Sequence, residues 1–207
     1  MIVMNQKATR KDSLFEPVRQ REKIFHGRYL DLQIIHVELP NGQKAQREIV
    51  QVKNAVAILP VDESGMVHLV RQHRPAISRT ILEVPAGLMN EKESVEVAAQ
   101  RECEEETGYY PTQVQKLLTY AHAEGYSTGW ITLFLGTRLE KRKASSLDKT
   151  EFVEQVRIEY RELIRLVERN QIVDSKTILS VLLARTFLKI EEPRSPSGAR
   201  LRKYIRS

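Results

Sequence analysis

The chain has 207 residues, of which 41% are hydrophobic and 29% charged, enough apolar material for a buried core; that excludes an intrinsically disordered chain and favours one domain with extensions. No apolar run approaches the ~20 residues of a membrane span, and the start, MIVMNQKATRKD, has the wrong order for a secretory signal, so no membrane association and a cytoplasmic location are expected. The net charge of +6 lies almost wholly in the last fifteen residues, PRSPSGARLRKYIRS, which reads as a solvated basic tail, so nucleic acid is not expected as a partner.

Residues 1–23 are polar and mixed in charge and read as an N-terminal arm, with the periodic body over 24–190 and the basic tail over 191–207. Residues 29–39 and 44–52 predict two strands of a hairpin, with Asn41-Gly42 supplying the positive φ of a tight turn. The apolar run 55–61 predicts a strand buried on both faces, and 66–72 follows it after a Glu63-Ser64-Gly65 turn. A short strand over 80–84 is broken by Pro85-Ala86-Gly87. A helix is expected over 94–107, with Ser94 as N-cap and Gly108 as stop. Residues 114–120, 131–138 and 152–158 predict strands, with a polar loop over 140–150. Two helices close the body, 160–170 and 175–190, the second capped by Asp174. The order suits one layered α/β domain. The lone Cys103 cannot form an intrachain disulfide, and the five histidines show no zinc-ligand spacing.

The helix SVEVAAQRECEEET carries an anomaly. Val95, Ala98, Ala99 and Cys103 recur at helical spacing as a core-facing stripe, yet Glu102 falls on the side of Val95, with Glu106 about 40° to one side and Glu105 about 60° to the other. Carboxylates drawn together towards a core need a counter-charge. A solvated acidic face is one reading of such a run; the other is a site for a hard cation, Mg²⁺ or Mn²⁺, because the donors are oxygens with no histidine nearby.

The stretch GLMNEKESVEVAAQRECEEETGY, residues 87–109, resembles the signature of the Nudix hydrolases, with Gly87, Glu93, Arg101, Glu102, Glu105, Glu106 and Gly108 in register. Cys103 and Tyr109 depart from it at aliphatic positions. The resemblance implies an α/β/α sandwich with a mixed sheet. It also implies that Glu102, Glu105, Glu106 and the Ala86 carbonyl bind Mg²⁺ or Mn²⁺, that Glu93 pairs with Arg101, and that Gly87 shapes the turn. A diphosphate linking a nucleoside to a second group would be hydrolysed.

Beyond the signature, LPNG (39–42), QREIV (46–50), AVAILPVDESG (55–65), VRQHRP (70–75) and LEVPAGLM (82–89) resemble the branch that hydrolyses ADP-ribose and other nucleoside-diphosphate sugars. That branch implies a homodimer to which the N-terminal antiparallel hairpin contributes. Arg47 and Arg74 are candidates for gripping phosphate or sugar, since a guanidinium matches phosphate oxygens in a forked geometry; for Arg47 the competing reading is an ion pair on the hairpin. Leu88 is expected to line the nucleoside pocket, and Glu83 either to stand behind the metal site or to face outward. Glu151, at the end of the polar loop, is the candidate for orienting the attacking water, with Glu154 second. The segment AHAEGYSTG (121–129) departs from ADP-ribose hydrolases, with Glu124 in place of a proline and Gly129 in place of an acid; His122 and Glu124 are substrate contacts or neutral loop residues. GDP-mannose or another nucleoside-diphosphate sugar is therefore the alternative substrate. The rivals of other classes are a nucleotide-sensing module without catalysis and an enzyme acting on RNA 5′ ends or dinucleoside polyphosphates.

Overall fold

The computed structural model describes residues 12–142 and 152–188. In chain order these form β1 (Val18–His26), β2 (Leu30–Glu38), β3 (Lys44–Val52), β4 (Ala55–Pro60), β5 (Met66–Arg74), β6 (Arg79–Glu83), β7 (Ala86–Leu88), α1 (Val95–Thr107), β8 (Tyr109–Ala121), β9 (Trp130–Lys141), β10 (Val153–Glu159), α2 (Tyr160–Glu168) and α3 (Ser175–Leu188). They make three sheets, β1-β2-β3, β10-β5-β6 and β7-β4-β9-β8.

Strand β4 explains the layering. It runs parallel to β9 and antiparallel to β7, and both of its faces are covered. Val56 and Ile58 join Phe134 against Ala98, Ala99 and Cys103 of α1. Ala57 and Leu59 join Leu133 and Leu135 against Leu163, Ile164, Val181 and Ala184 of α2 and α3. A continuous apolar strand needs cover on both sides, and helices on the two faces of a mixed sheet supply it. The α/β/α expectation is met, and α1 sits on one layer with its acidic end beside β7.

Three local expectations change. Strand β1 begins at Val18, inside the stretch expected as an arm: it pairs antiparallel with β2, but all nine of its residues are exposed, so no alternation marks it. At the hairpin turn Gly42 alone takes a positive φ, +83°. Its N–H donates to Leu39 O at 2.8 Å, so Pro40 and Asn41 form the corner and Gly42 turns the chain back. Ala86 and Gly87, expected with Pro85 as a break, instead join Leu88 in the short strand β7 on the edge of β4. The 191–207 tail lies outside the described residues.

Candidate active site

Helix α1 starts as its residues dictate. Ser94 Oγ accepts from Val97 N–H at 3.3 Å, and Gly108 ends the helix in the left-handed conformation, donating to Glu104 O. Between these ends the buried stripe of Ala98, Ala99 and Cys103 fixes the rotation of the helix on β4. Burial pushes the Cys103 thiol up to about 12, so it acts as a small core residue.

That rotation carries Glu102 and Glu106 inward, where they are 9% and 7% exposed. Ala86 N–H donates to Glu106 Oε2 at 3.3 Å. Gly87 lies against Glu102 so closely that a Cβ there would stand 2.2 Å from its carboxyl carbon. The glycine is thus required by close approach rather than by a positive φ. Two adjacent residues of β7 therefore meet two carboxylates one turn apart on α1.

Arg101 is the counter-charge. It holds Glu93 by two bonds, Nε to Oε1 at 2.8 Å and Nη2 to Oε2 at 3.0 Å. Its Nη1 donates to Glu102 Oε1 at 2.7 Å and to Glu105 Oε2 at 2.9 Å, and Nη2 also reaches Leu88 O at 3.2 Å. The hydrogen bond to Glu93, opposed by burial and reinforced by Glu102 and Glu105, raises the Arg101 pKa. The same bond holds the Glu93 carboxyl below the usual range. One guanidinium thus ties the loop after β7 to the acidic face of α1.

The donors around this seam are carboxylate and backbone oxygens only, which suits a hard divalent cation. Among the described residues, however, no three His, Cys, Asp or Glu side chains converge on one point. Glu102, Glu105 and Glu106 share a face, and Arg101 spans the first two.

The other sequence candidates are dispersed. Arg74, at the end of β5, is joined to Glu83 by Nε–Oε1 at 2.6 Å and Nη2–Oε2 at 2.9 Å. Glu83 is not an outward residue: it is 1% exposed. Arg47, on β3, donates to Glu16 at 3.0 Å, so the ion pair weighed against its substrate role is present, although with Glu16 rather than a cross-hairpin acid. It lines a groove of about 480 Å³ with Ile34, Gln46, Glu48 and Tyr126. Leu88 is exposed. Glu124 is exposed, and His122 Nδ1 lies 3.2 Å from Gly129 O. A Cβ at Gly129 would come within 2.6 Å of His122 and 2.7 Å of Val52, so any side chain there would have to displace them. Glu154 pairs with Arg71 at 2.6 Å. Glu151 lies outside the described residues. Sequence reasoning missed Lys176, buried against Glu83 and Asp174; its one signal was a lysine in the first turn of an apolar helix, where a cation needs an acidic partner.

Comparison with known proteins agrees with this layout. A family model described as the NUDIX domain matches residues 51–179. A Bacillus subtilis protein named ADP-ribose pyrophosphatase is 38% identical over 173 residues, covering 82% of this chain and 92% of its own. A Bacillus methanolicus protein named methanol dehydrogenase activator is 36% identical over 178 residues, covering 86% of this chain and 94% of its own. A solved structure described as an ADP compounds hydrolase shares the fold, with a TM-score of 0.78 at 23% identity over 86% of this chain and 97% of its own.

Proposed function

Because the chain belongs to the Nudix family, we propose that it hydrolyses the diphosphate bond of a nucleoside diphosphate linked to a sugar, with ADP-ribose cut to AMP and ribose 5-phosphate. The observation that supports this most directly is the seam between β7 and α1, where Gly87 admits the Glu102 carboxylate and Arg101 binds Glu93, Glu102 and Glu105 together. The named activity of the Bacillus subtilis relative supplies the substrate class.

In this reading Ala86 O, Glu102, Glu105 and Glu106 hold Mg²⁺, with Mn²⁺ as the alternative. A bound divalent cation supplies charge neutralisation on the diphosphate and polarises the attacked phosphorus. Arg101 and Glu93 keep the loop at fixed distance from the helix. Arg74 offers its outer edge to phosphate. Leu88 and Arg47 contact the nucleoside and sugar ends. Glu151 orients the attacking water; Glu154, already paired with Arg71, does not. Glu151→Gln is expected to lower kcat by roughly 10²- to 10⁴-fold, with Glu154→Gln close to wild type. The reverse pattern moves the role to Glu154.

The functional experiment is a hydrolysis panel with Mg²⁺ against ADP-ribose, GDP-mannose, UDP-glucose, NADH, diadenosine polyphosphates and ATP. ADP-ribose is expected to give the highest kcat/KM. GDP-mannose in first place changes the substrate but keeps the reaction, whereas ATP in first place removes the reading, because the distal sugar would then contribute no binding energy. Glu106→Gln should abolish most turnover at saturating Mg²⁺ while leaving the melting temperature in EDTA unchanged, since Gln still accepts from Ala86 N–H.

The protein acts as a homodimer in the cytoplasm in this reading, the β1-β2-β3 sheet lying against a second copy. Val18, Ile24, Phe25, Tyr29 and Leu30 all stand exposed in or beside that sheet, apolar surface that a second copy would cover. Sedimentation at micromolar concentration is expected to give twice the chain mass, and a Phe25→Glu, Leu30→Glu variant half of that.

A further inference from the structure

A chain of alternating charges runs from the surface into the body at the edge of the candidate site. Arg74 binds Glu83 through two bonds; Glu83 Oε2 accepts from Lys176 Nζ at 3.1 Å; and Lys176 Nζ reaches Asp174 Oδ1 at 2.5 Å. Asp174 Oδ2 in turn accepts from Thr177 N–H at 3.0 Å and Thr177 Oγ1 at 2.6 Å. The Thr177 hydroxyl also accepts from Val84 N–H at 2.8 Å. The first turn of α3 therefore grips the chain at Glu83 and Val84, three and two residues before the Ala86–Gly87 pair that faces Glu102 and Glu106.

Burial along this chain is graded. The Glu83 and Lys176 side chains are 2% and 16% exposed, whereas Arg74 is 45% exposed. Glu83 occupies the Nε/Nη2 edge of the guanidinium, so the Nη1 side, which makes no hydrogen bond among the described residues, points away from the buried carboxylate. The clamp ties Arg74 to the strand that leads into the Ala86–Gly87 pair, and the Glu83 hydrogen bond, with a smaller contribution from the charge of Glu106, raises the Arg74 pKa. An arginine clamped along one edge by a buried acid, with its other edge open, is built to receive an oxyanion in one orientation.

We propose that Lys176 is a positioning residue for the hydrolytic reaction: through Glu83 it fixes the open edge of Arg74 towards the diphosphate of the substrate. The inference rests on the functional reading above and deepens it. Without Lys176, Glu83 keeps its bonds to Arg74 but loses its anchor on α3, and the acid and arginine can swivel together. A displacement of about 1 Å at a group that grips substrate is enough to cost up to ~10²-fold in rate.

The test is a double-mutant cycle in full-length protein with Lys176→Met, which retains the apolar stem, and Arg74→Ala. Steady-state kinetics on ADP-ribose with Mg²⁺ are paired with calorimetric binding of ADP-ribose in EDTA and with melting temperatures. Lys176→Met is expected to lower kcat/KM by about 10- to 100-fold and to weaken binding in EDTA. In the Arg74→Ala background the same change is expected to add less than about twofold, because sites that act through one another are not additive. An equal factor in both backgrounds, or no loss from Lys176→Met, overturns the relay and leaves Lys176 a structural residue. If Lys176→Met does not fold, Glu83→Gln with Lys176→Met removes one charge of each sign and keeps the cluster neutral. The relay then requires weak binding at a near-normal melting temperature, and full activity overturns it. A wild-type protein that cleaves no diphosphate sugar is a different result: it overturns the functional reading, and the relay with it.

Discussion

The N-terminal sheet and the body of the molecule build strands in opposite ways. In the body, Val56, Ala57, Ile58 and Leu59 of β4 are all 0% exposed, and the strand is specified by helices covering both faces. In the N-terminal sheet, every residue of β1 is exposed, and only Val37 of β2 is fully buried. There the order comes from the backbone ladder and from surface pairs such as Arg19–Glu38 at 2.8 Å and His26–Asp31 at 2.5 Å, which are worth little individually. The sheet is tied to the body by β3, through bonds from Val50 N–H to Tyr126 O and from Thr128 N–H to Val50 O. The contrast shows that a strand can be formed by its backbone ladder without a core of its own.

The contrast breaks most easily at its cores. Phe134→Ala, at a fully buried position of β9 packed with β4 and α1, should cost about 3–5 kcal/mol by urea denaturation. Phe25→Ala should cost less than about 1 kcal/mol, as exposed positions usually do, when measured at a dilution where sedimentation shows single chains. Equal costs would mean that the two regions share one cooperative core.

A pH titration sharpens it. Burial raises the Tyr160 phenol from its ordinary 10.0 to about 12, and its hydroxyl donates to Val181 O at 2.6 Å. A phenol harder to ionise when folded contributes stability that is complete below pH 10 and lost as pH rises from 10 towards 12. The loss is about 2–3 kcal/mol for a shift of this size. Tyr160→Phe should make the alkaline limb of the body's denaturation curve shallower by that amount, the buried Cys103 thiol supplying the rest; an unchanged limb assigns it elsewhere.

The smallest effects belong to two glycines, one in each region. Gly42 has φ +83° and open space around it, so Gly42→Ala should cost about 1–2 kcal/mol in backbone strain with activity intact. At Gly87 a Cβ would meet the buried Glu102 carboxylate that Arg101 holds. Gly87→Ala should therefore displace that carboxylate and lower turnover by about 10- to 100-fold, the range for losing a residue that orients metal ligands.

The body was the legible part. Helix α1, its Ser94 and Gly108 ends, and the Glu93–Arg101 pair follow from capping chemistry and signature spacing, and the structure bears them out. Asp174 caps α3 as read. Strand β1 stayed hidden because burial periodicity is the signal for a strand, and VRQREKIFH has none to offer. Strand β7 was hidden by Pro85 and by its length of three residues. The Glu83–Lys176 contact joins positions 93 residues apart, a separation that no local pattern spans.

The parallel pairing of β4 with β9 bears on how the molecule comes into being. Ala55 cannot meet Ile131, nor Pro60 meet Gly136, until more than half of the chain has been made. The hairpins of β1, β2 and β3, by contrast, join close neighbours in sequence. On a ribosome the N-terminal sheet can therefore zip first, while β4, the most apolar segment of the body, waits for its partner. During that interval the run AVAILP, buried on both faces in the finished fold, lacks its parallel partner strand.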